Sequence, residues 1–388
     1  MKQRKLLMIP GPIEFEPEVL RSLGMVTTSH VAPNFIEAFG NALDLMKEIW
    51  MAPNGQPFVV AGSGTLAMDM AVVNLIENGD DALVISTGYF GKRYADILKR
   101  YGVKVTLLES EIGGVVDLVT IENELKKKNY KLLTFTHVDT STGVLVHPKP
   151  IADLAKKYNV LSILDGVCSV AGEEIKQDVW GIDVVLTASQ KAVGVPPGLA
   201  LLVASKKAMD VWKNRKTPVS NYYADWNNWL PIMEAYQNRK PSYFGTPPVN
   251  LIAALETSLK IITKEGISTR VKNHCKLAQA FREAIQSIGL EILPIHDSIS
   301  ANTLTAIKYP KNVNGGDFLS FVSEYGVILA GGLLPEIKTT YFRVGHMGSI
   351  DPKDIIVTLS AIEYALSKVG YAFKVGKSLE TFQKIIQG

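Results

Sequence analysis

The sequence predicts an α/β protein with a mainly parallel sheet, on three observations. Apolar runs of strand length alternate with longer helical patterns through the first two-thirds of the chain. Strands separated by helices pair in parallel, with the crossovers covering both faces of the sheet. The pattern then changes after Pro247-Pro248. At 388 residues the chain is also long for one hydrophobic core. We expect an N-terminal segment over 1–14, a large domain over 15–265 and a smaller C-terminal α/β domain over 266–388, with the boundary near Gly266.

Each element has a local reason. Pro57-Phe58-Val59-Val60 reads as a strand leading into Ala61-Gly62-Ser63-Gly64-Thr65. Leu66, Met70, Val73 and Ile76 then recur at helical spacing, and Gly79 supplies a stop. Ala82 to Ile85 is the next strand, with a helix starting near Gly91. Val103 to Leu108, Leu132 to Thr136, Leu161 to Leu164 and Asp183 to Leu186 continue the series. Two long helices follow the proline pair, from about Val249 to Lys264 and from about Ser268 to Ile288, divided by Gly266. Shorter strands come last, at Thr303 to Ile307 and Tyr341 to Val344.

Composition removes several function classes. Lys and Arg number 41 against 38 Asp and Glu, a net charge of +3, with no block of like charge. Nucleic-acid and anionic-membrane binding therefore have little support. The two cysteines, Cys168 and Cys275, form no metal or redox motif, and the six histidines show no metal-ligand spacing. The start, Met1 to Pro10, has a basic beginning but an apolar run too short for a signal peptide, and the end carries no peroxisomal tripeptide. A soluble cytoplasmic protein is expected.

Chemistry concentrates at three strand ends, where open parallel sheets bind their ligands. Gly62-Ser63-Gly64-Thr65 offers close backbone approach, hydroxyl donors and helix-start amides, which suits an anion such as phosphate or an ordinary capped turn. Asp165 follows a buried strand and needs a partner, either a structural cation or a protonated ring nitrogen. Lys191 lies in Thr187-Ala188-Ser189-Gln190-Lys191-Ala192, just before Val195-Pro196-Pro197-Gly198. Held on an apolar turn, its amine is placed for Schiff-base chemistry with a carbonyl rather than for solvation. The spacing from Asp165 allows one crossover, so both side chains can face one pocket from neighbouring strands.

These motifs, together with Asp165-Gly166-Val167-Cys168-Ser169 and Thr140-Ser141-Thr142-Gly143, resemble the class V aminotransferases of fold type I. The alanine–glyoxylate and serine–pyruvate branch is the most similar, from Pro10-Gly11-Pro12 to Arg343. The resemblance implies a seven-stranded, mainly parallel sheet and pyridoxal 5′-phosphate as cofactor. It implies that Lys191 holds the cofactor as an aldimine and shuttles the proton, and that Asp165 binds the ring nitrogen. Ser63, Gly64, Thr65 and Gln190 would cradle the phosphate, Phe90 would stack on the ring, and Thr140 would orient it. Tyr243 and Thr246 would reach the phosphate from the partner of a homodimer. Arg343 would grip the substrate carboxylate, and Gly11 would let the N-terminal segment close over the active site. Two positions depart from the family pattern: Phe90 stands where many relatives carry Trp, and Gly245 where many carry His. The implied reaction moves an amino group from alanine or serine to glyoxylate or pyruvate in a ping-pong cycle. A 2-aminoethylphosphonate transaminase, a cysteine desulfurase and a non-catalytic protein on the same sheet are the competing readings. His346, close to Arg343 in sequence, is a further candidate for substrate contact.

Overall fold

The computed structural model describes residues 5–387. The basic start from Met1 to Arg4 and the terminal Gly388 lie outside the described residues.

Seven strands form the central sheet: β1 (Gln56–Ala61), β2 (Asp81–Ser86), β3 (Lys104–Glu109), β4 (Leu132–Thr136), β5 (Leu161–Asp165), β6 (Val184–Ala188) and β7 (Leu199–Ala204). Their order is β1-β7-β6-β5-β4-β2-β3. The pairs β3/β2, β2/β4, β4/β5 and β5/β6 are parallel, whereas β7 runs against both β6 and β1. An antiparallel neighbour needs no helical crossover. Residues 189–198 therefore join β6 to β7 as a loop, and Lys191 sits on it. All six residues of β7 are buried. Such an uninterrupted apolar run has no period-2 signal, and the sequence reading did not separate it from its flanks.

Helices α1 (Pro33–Ile49), α2 (Gly64–Val73), α3 (Tyr89–Arg100), α4 (Val249–Glu265), α5 (Ile267–Ser287), α6 (Pro352–Lys368) and α7 (Lys377–Gln387) carry most of the packing. Gly266 separates α4 from α5 with φ of 83°, a conformation open to glycine without steric cost.

Two apolar cores result. The larger one fills the space around the central sheet. The second gathers Phe281 of α5, Phe318, Phe342 and Leu359 around a three-stranded sheet. Its strands are β8 (Leu304–Lys308), β9 (Ala330–Gly331) and β10 (Tyr341–Gly345), in the order β8-β10-β9. The N-terminal segment belongs to this second unit. Leu6–Leu7 pairs in parallel with Val327–Ile328, Met8 is wholly buried in the second core, and the Met8 carbonyl accepts from Gly345 N at 2.9 Å. Among the described residues, no helix is long and apolar enough to cross a membrane.

Candidate active site

The carboxyl ends of β1, β5 and β6 converge. β1 turns through Gly62 and Ser63 into α2. Ser63 holds the extended N-cap conformation, yet its hydroxyl caps no amide of its own helix and stays available. At Gly64 a Cβ would lie 3.1 Å from Val167 Cγ2 and 3.2 Å from Ala188 Cβ. The absence of a side chain lets the helix start sit tightly on the loops that follow β5 and β6. Thr65 is exposed beside it, and its hydroxyl accepts from Arg93 Nη1 at 3.0 Å.

Asp165 closes β5 opposite Leu186 of β6 and is 2% exposed. One carboxylate oxygen accepts from Val167 N at 2.9 Å. No salt bridge reaches it among the described residues. Burial raises its pKa to about 7, with Asp139 adding to the rise and Arg93 and Lys191 opposing it. A cationic ring nitrogen at this carboxylate would relieve that penalty.

Lys191 is 8% exposed. Its loop is pinned on both sides. Ser189 Oγ donates to the Pro196 carbonyl at 2.8 Å and accepts from Leu199 N at 3.2 Å. Arg270 Nη2 of α5 donates to the Ala192 carbonyl at 3.1 Å, and Ser258 Oγ of α4 donates to the Val193 carbonyl. Burial pushes the Lys191 ammonium pKa down; Arg343 acts in the same direction, and Cys168 and Asp165 act against it. The neutral amine is the nucleophilic form. Lys191 Nζ donates to the Pro10 carbonyl, and a Cβ on Gly11 would lie 2.6 Å from Lys191 Cδ. The N-terminal segment thus lies directly against the lysine side chain.

Most of the other residues read from sequence join this cluster. Gln190 follows Ser189, and its Oε1 is buried with no partner among the described residues. Phe90 opens α3 and is half-buried. Thr140 is buried, and its carbonyl accepts from Arg343 Nη1 at 3.0 Å. Arg343 Nε donates to the Gly331 carbonyl at 2.9 Å, so its guanidinium ties the three-stranded sheet to the Thr140 turn. Tyr243 and Thr246 do not join. Tyr243 is 62% exposed, and its hydroxyl lies 3.5 Å from that of Thr246. His346 is a core residue: Nε2 lies 2.8 Å from Thr305 Oγ1, Nδ1 lies 3.1 Å from the Asn302 carbonyl, and the ring packs against Phe281.

Two buried positions that organise this cluster had no legible signal. Asp139 is fully buried and accepts from Phe90 N at 3.0 Å, Ser141 N at 2.9 Å and Ser141 Oγ at 2.6 Å. It fixes the start of α3 to the Thr140 turn. Tyr341 donates its hydroxyl hydrogen to the Ser141 carbonyl at 2.5 Å and accepts from Leu333 N and Leu334 N, both at 2.9 Å. An Asp before Thr-Ser-Thr-Gly marks a turn, but its long-range partners are set only by the fold.

The aminotransferase class-V family model matches residues 16–337, and the chain belongs to that family. Alanine–glyoxylate aminotransferase 1 of Saccharomyces cerevisiae is 37% identical, over 88% of this chain and 91% of its own. An uncharacterized aminotransferase of Methanocaldococcus jannaschii is 35% identical, over 96% of this chain and 95% of its own. The crystal structure of an alanine–glyoxylate aminotransferase from Nostoc sp. superposes with a TM-score of 0.89 at 29% identity, covering 94% of this chain and 96% of that one. The protein is a pyridoxal-phosphate-dependent aminotransferase of fold type I.

The site's chemistry fits that cofactor. Among the described residues it offers a buried amine with a lowered pKa, a buried carboxylate without a salt bridge, a Ser63 hydroxyl that caps no amide of its helix and an unpartnered Gln190 Oε1.

Proposed function

We propose that the enzyme moves an amino group from a small amino acid, alanine or serine, to glyoxylate or pyruvate. The observation that carries this is Lys191: a buried amine pushed toward neutrality, with the guanidinium of Arg343, held at the Thr140 carbonyl, close enough to act on it. One guanidinium pairs with one carboxylate, as a monocarboxylate substrate needs. The relatives named for alanine–glyoxylate exchange support the choice.

When bound, the cofactor supplies an aldehyde that takes up amines and a protonated ring that accepts the electron pair released at the substrate's α-carbon. Lys191 would hold the cofactor through its aldehyde, and its Nζ would move the proton at the substrate's α-carbon. Asp165 would keep the ring nitrogen protonated. Ser63, Gly64, Thr65 and Gln190 would hold the phosphate, and Phe90 and Thr140 would position the ring. Gly11 and the N-terminal segment exclude water above Lys191. Residues 266–388 act as a smaller domain that presents Arg343 to the substrate carboxylate.

The working form is a cytoplasmic homodimer in which Tyr243 and Thr246 complete the partner's phosphate site. Apolar exposure supports this. Val26 is 96% exposed, and Met25, Val31, Tyr222 and Tyr243 are also open. Asn250 ties the Met25 carbonyl to α4, His30 packs against the Tyr243 ring, and Tyr222 packs against Phe244, the neighbour of Tyr243. A patch of this kind is ordinarily covered.

Cysteine desulfurization is disfavoured because it needs a mobile, reactive thiol. Cys168 is 1% exposed with its thiol pKa raised by burial, and Cys275 lies on α5. A donor-by-acceptor matrix, including 2-aminoethylphosphonate, tests the substrate reading: alanine or serine with glyoxylate should give the highest kcat/KM. In Lys191→Ala the visible band and amino transfer should both disappear. Normal turnover in that variant would sink the assignment.

A further inference from the structure

Arg93 stands one turn after Phe90 on α3 and points toward the phosphate cup. Its Nη1 donates to Thr65 Oγ1 at 3.0 Å. The guanidinium carbon lies 4.8 Å from the centroid of Phe90 and 5.2 Å from that of Tyr89. Two aromatic faces and one hydroxyl therefore hold it, and no carboxylate forms a salt bridge with it among the described residues. Its neighbour Lys92 is committed elsewhere, to Glu109 at 3.0 Å and Glu336 at 2.7 Å. A half-buried cation without a counter-ion is poised for an anion.

The charge balance of the cup identifies that anion. A phosphate monoester carries about −1.5 to −2 at neutral pH. Ser63, Thr65 and Gln190 are neutral, and the α2 N-terminus contributes roughly +0.5. The cup as read from sequence leaves about one negative charge or more uncompensated. We propose that Arg93 is the counter-ion of the cofactor phosphate, shared between Thr65 and the phosphate oxygens and steadied by the rings of Phe90 and Tyr89. The assignment rests on the pyridoxal-phosphate reading. It gives the Phe90 ring a second task, as a platform for the guanidinium. The competing role is electrostatic: Arg93 also acts on Asp165, and through it would influence the ring nitrogen rather than the phosphate.

The two roles separate by ligand. Purified holoenzyme is dialysed to equilibrium against graded pyridoxal phosphate, and occupancy is read from the visible band. The same is done with pyridoxal, which has the ring but no phosphate. In Arg93→Gln the dissociation constant for pyridoxal phosphate should rise at least about 10-fold, while that for pyridoxal stays within about twofold. Arg93→Lys keeps the charge but loses the planar group that stacks on Phe90 and Tyr89, so it should recover part of the lost affinity, binding pyridoxal phosphate more tightly than Arg93→Gln does. Equal weakening of both ligands, or unchanged pyridoxal-phosphate affinity in Arg93→Gln, each overturns the proposal. A wild-type protein with no saturable visible band would instead remove the cofactor reading itself.

Discussion

Gly11 offers the sharpest test of how the site is closed. In Gly11→Ala the new Cβ would lie 2.6 Å from Lys191 Cδ, 2.8 Å from Nζ and 2.9 Å from Cε. Carbon atoms at rest stand about 3.5–4.0 Å apart, so relief needs a displacement of roughly 1 Å. The backbone resists an easy escape on its own side. Gly11 has φ of 109°, and a side chain in such a region costs roughly 1–3 kcal/mol. The segment is also anchored just upstream by the Leu6–Leu7 pairing and by Met8 in the second core. Lys191 is therefore the side chain that moves. A misplacement of roughly 1 Å at a reacting group costs about 100-fold in rate. The expected result for Gly11→Ala is a fall in kcat of about that size, with a thermal transition lowered by only a few degrees. Steady-state kinetics and a melting curve on the same preparation measure both. A variant that keeps kcat within twofold would show that the N-terminal segment does not bear on Lys191.

Three further outcomes follow from the geometry. The cofactor-free protein holds a proton on Asp165 up to about pH 7, whereas the unfolded chain releases it near 3.8. The folded state binds more protons across that window, so stability falls as pH rises from about 4 to 7, by up to roughly 4 kcal/mol for this group. Glu173, also raised to about 7 by burial, adds a slope of the same sign. Denaturant melts of cofactor-free Asp165→Asn at pH 5 and pH 8 should show a smaller loss than wild type, and an unchanged difference would refute the assignment. Arg343→Gln should lower kcat/KM for alanine about 10–150-fold, the worth of a charge-assisted contact. Arg343→Lys controls for the bridge to Gly331 and Thr140, and equal kinetics in all three proteins would refute carboxylate binding. Asp139→Ala strands the Phe90 and Ser141 amides, costing about 1–3 kcal/mol for each left unsatisfied. Denaturant melts check this, and a loss below about 0.5 kcal/mol would mean that water replaces the carboxylate.

The parts of the molecule that local chemistry dictates were readable in advance. The strands before Gly62, Asp165 and Lys191 each end at a motif, and the adjacency of β5 and β6 follows from one crossover between neighbouring strands. The break at Gly266 was visible because glycine and helical periodicity are local signals. Long-range pairing was not. Nothing near Leu6–Leu7 announces Val327–Ile328, and nothing near Asp139 announces the amide of Phe90. β7 escaped notice because complete burial erases alternation. Lys191 was legible as a buried amine, but its contacts with Pro10 and Gly11 depend on a segment whose partner strand lies at the other end of the chain.

That distant pairing orders events during synthesis. Lys5 and Ser323, joined at 2.6 Å, are 318 residues apart. At roughly 5–20 residues per second, about 15–60 s pass between their emergence from the ribosome. The central sheet has every strand it needs only over the last part of that interval, once Ala204 at the end of β7 has been made. Leu6–Leu7 must nevertheless wait, unpaired, until Val327–Ile328 has been made. A nascent chain therefore carries its reactive lysine on a formed sheet before Pro10 and Gly11 can dock over it. Competence arrives as the closing step of assembly rather than with the sheet that bears the amine.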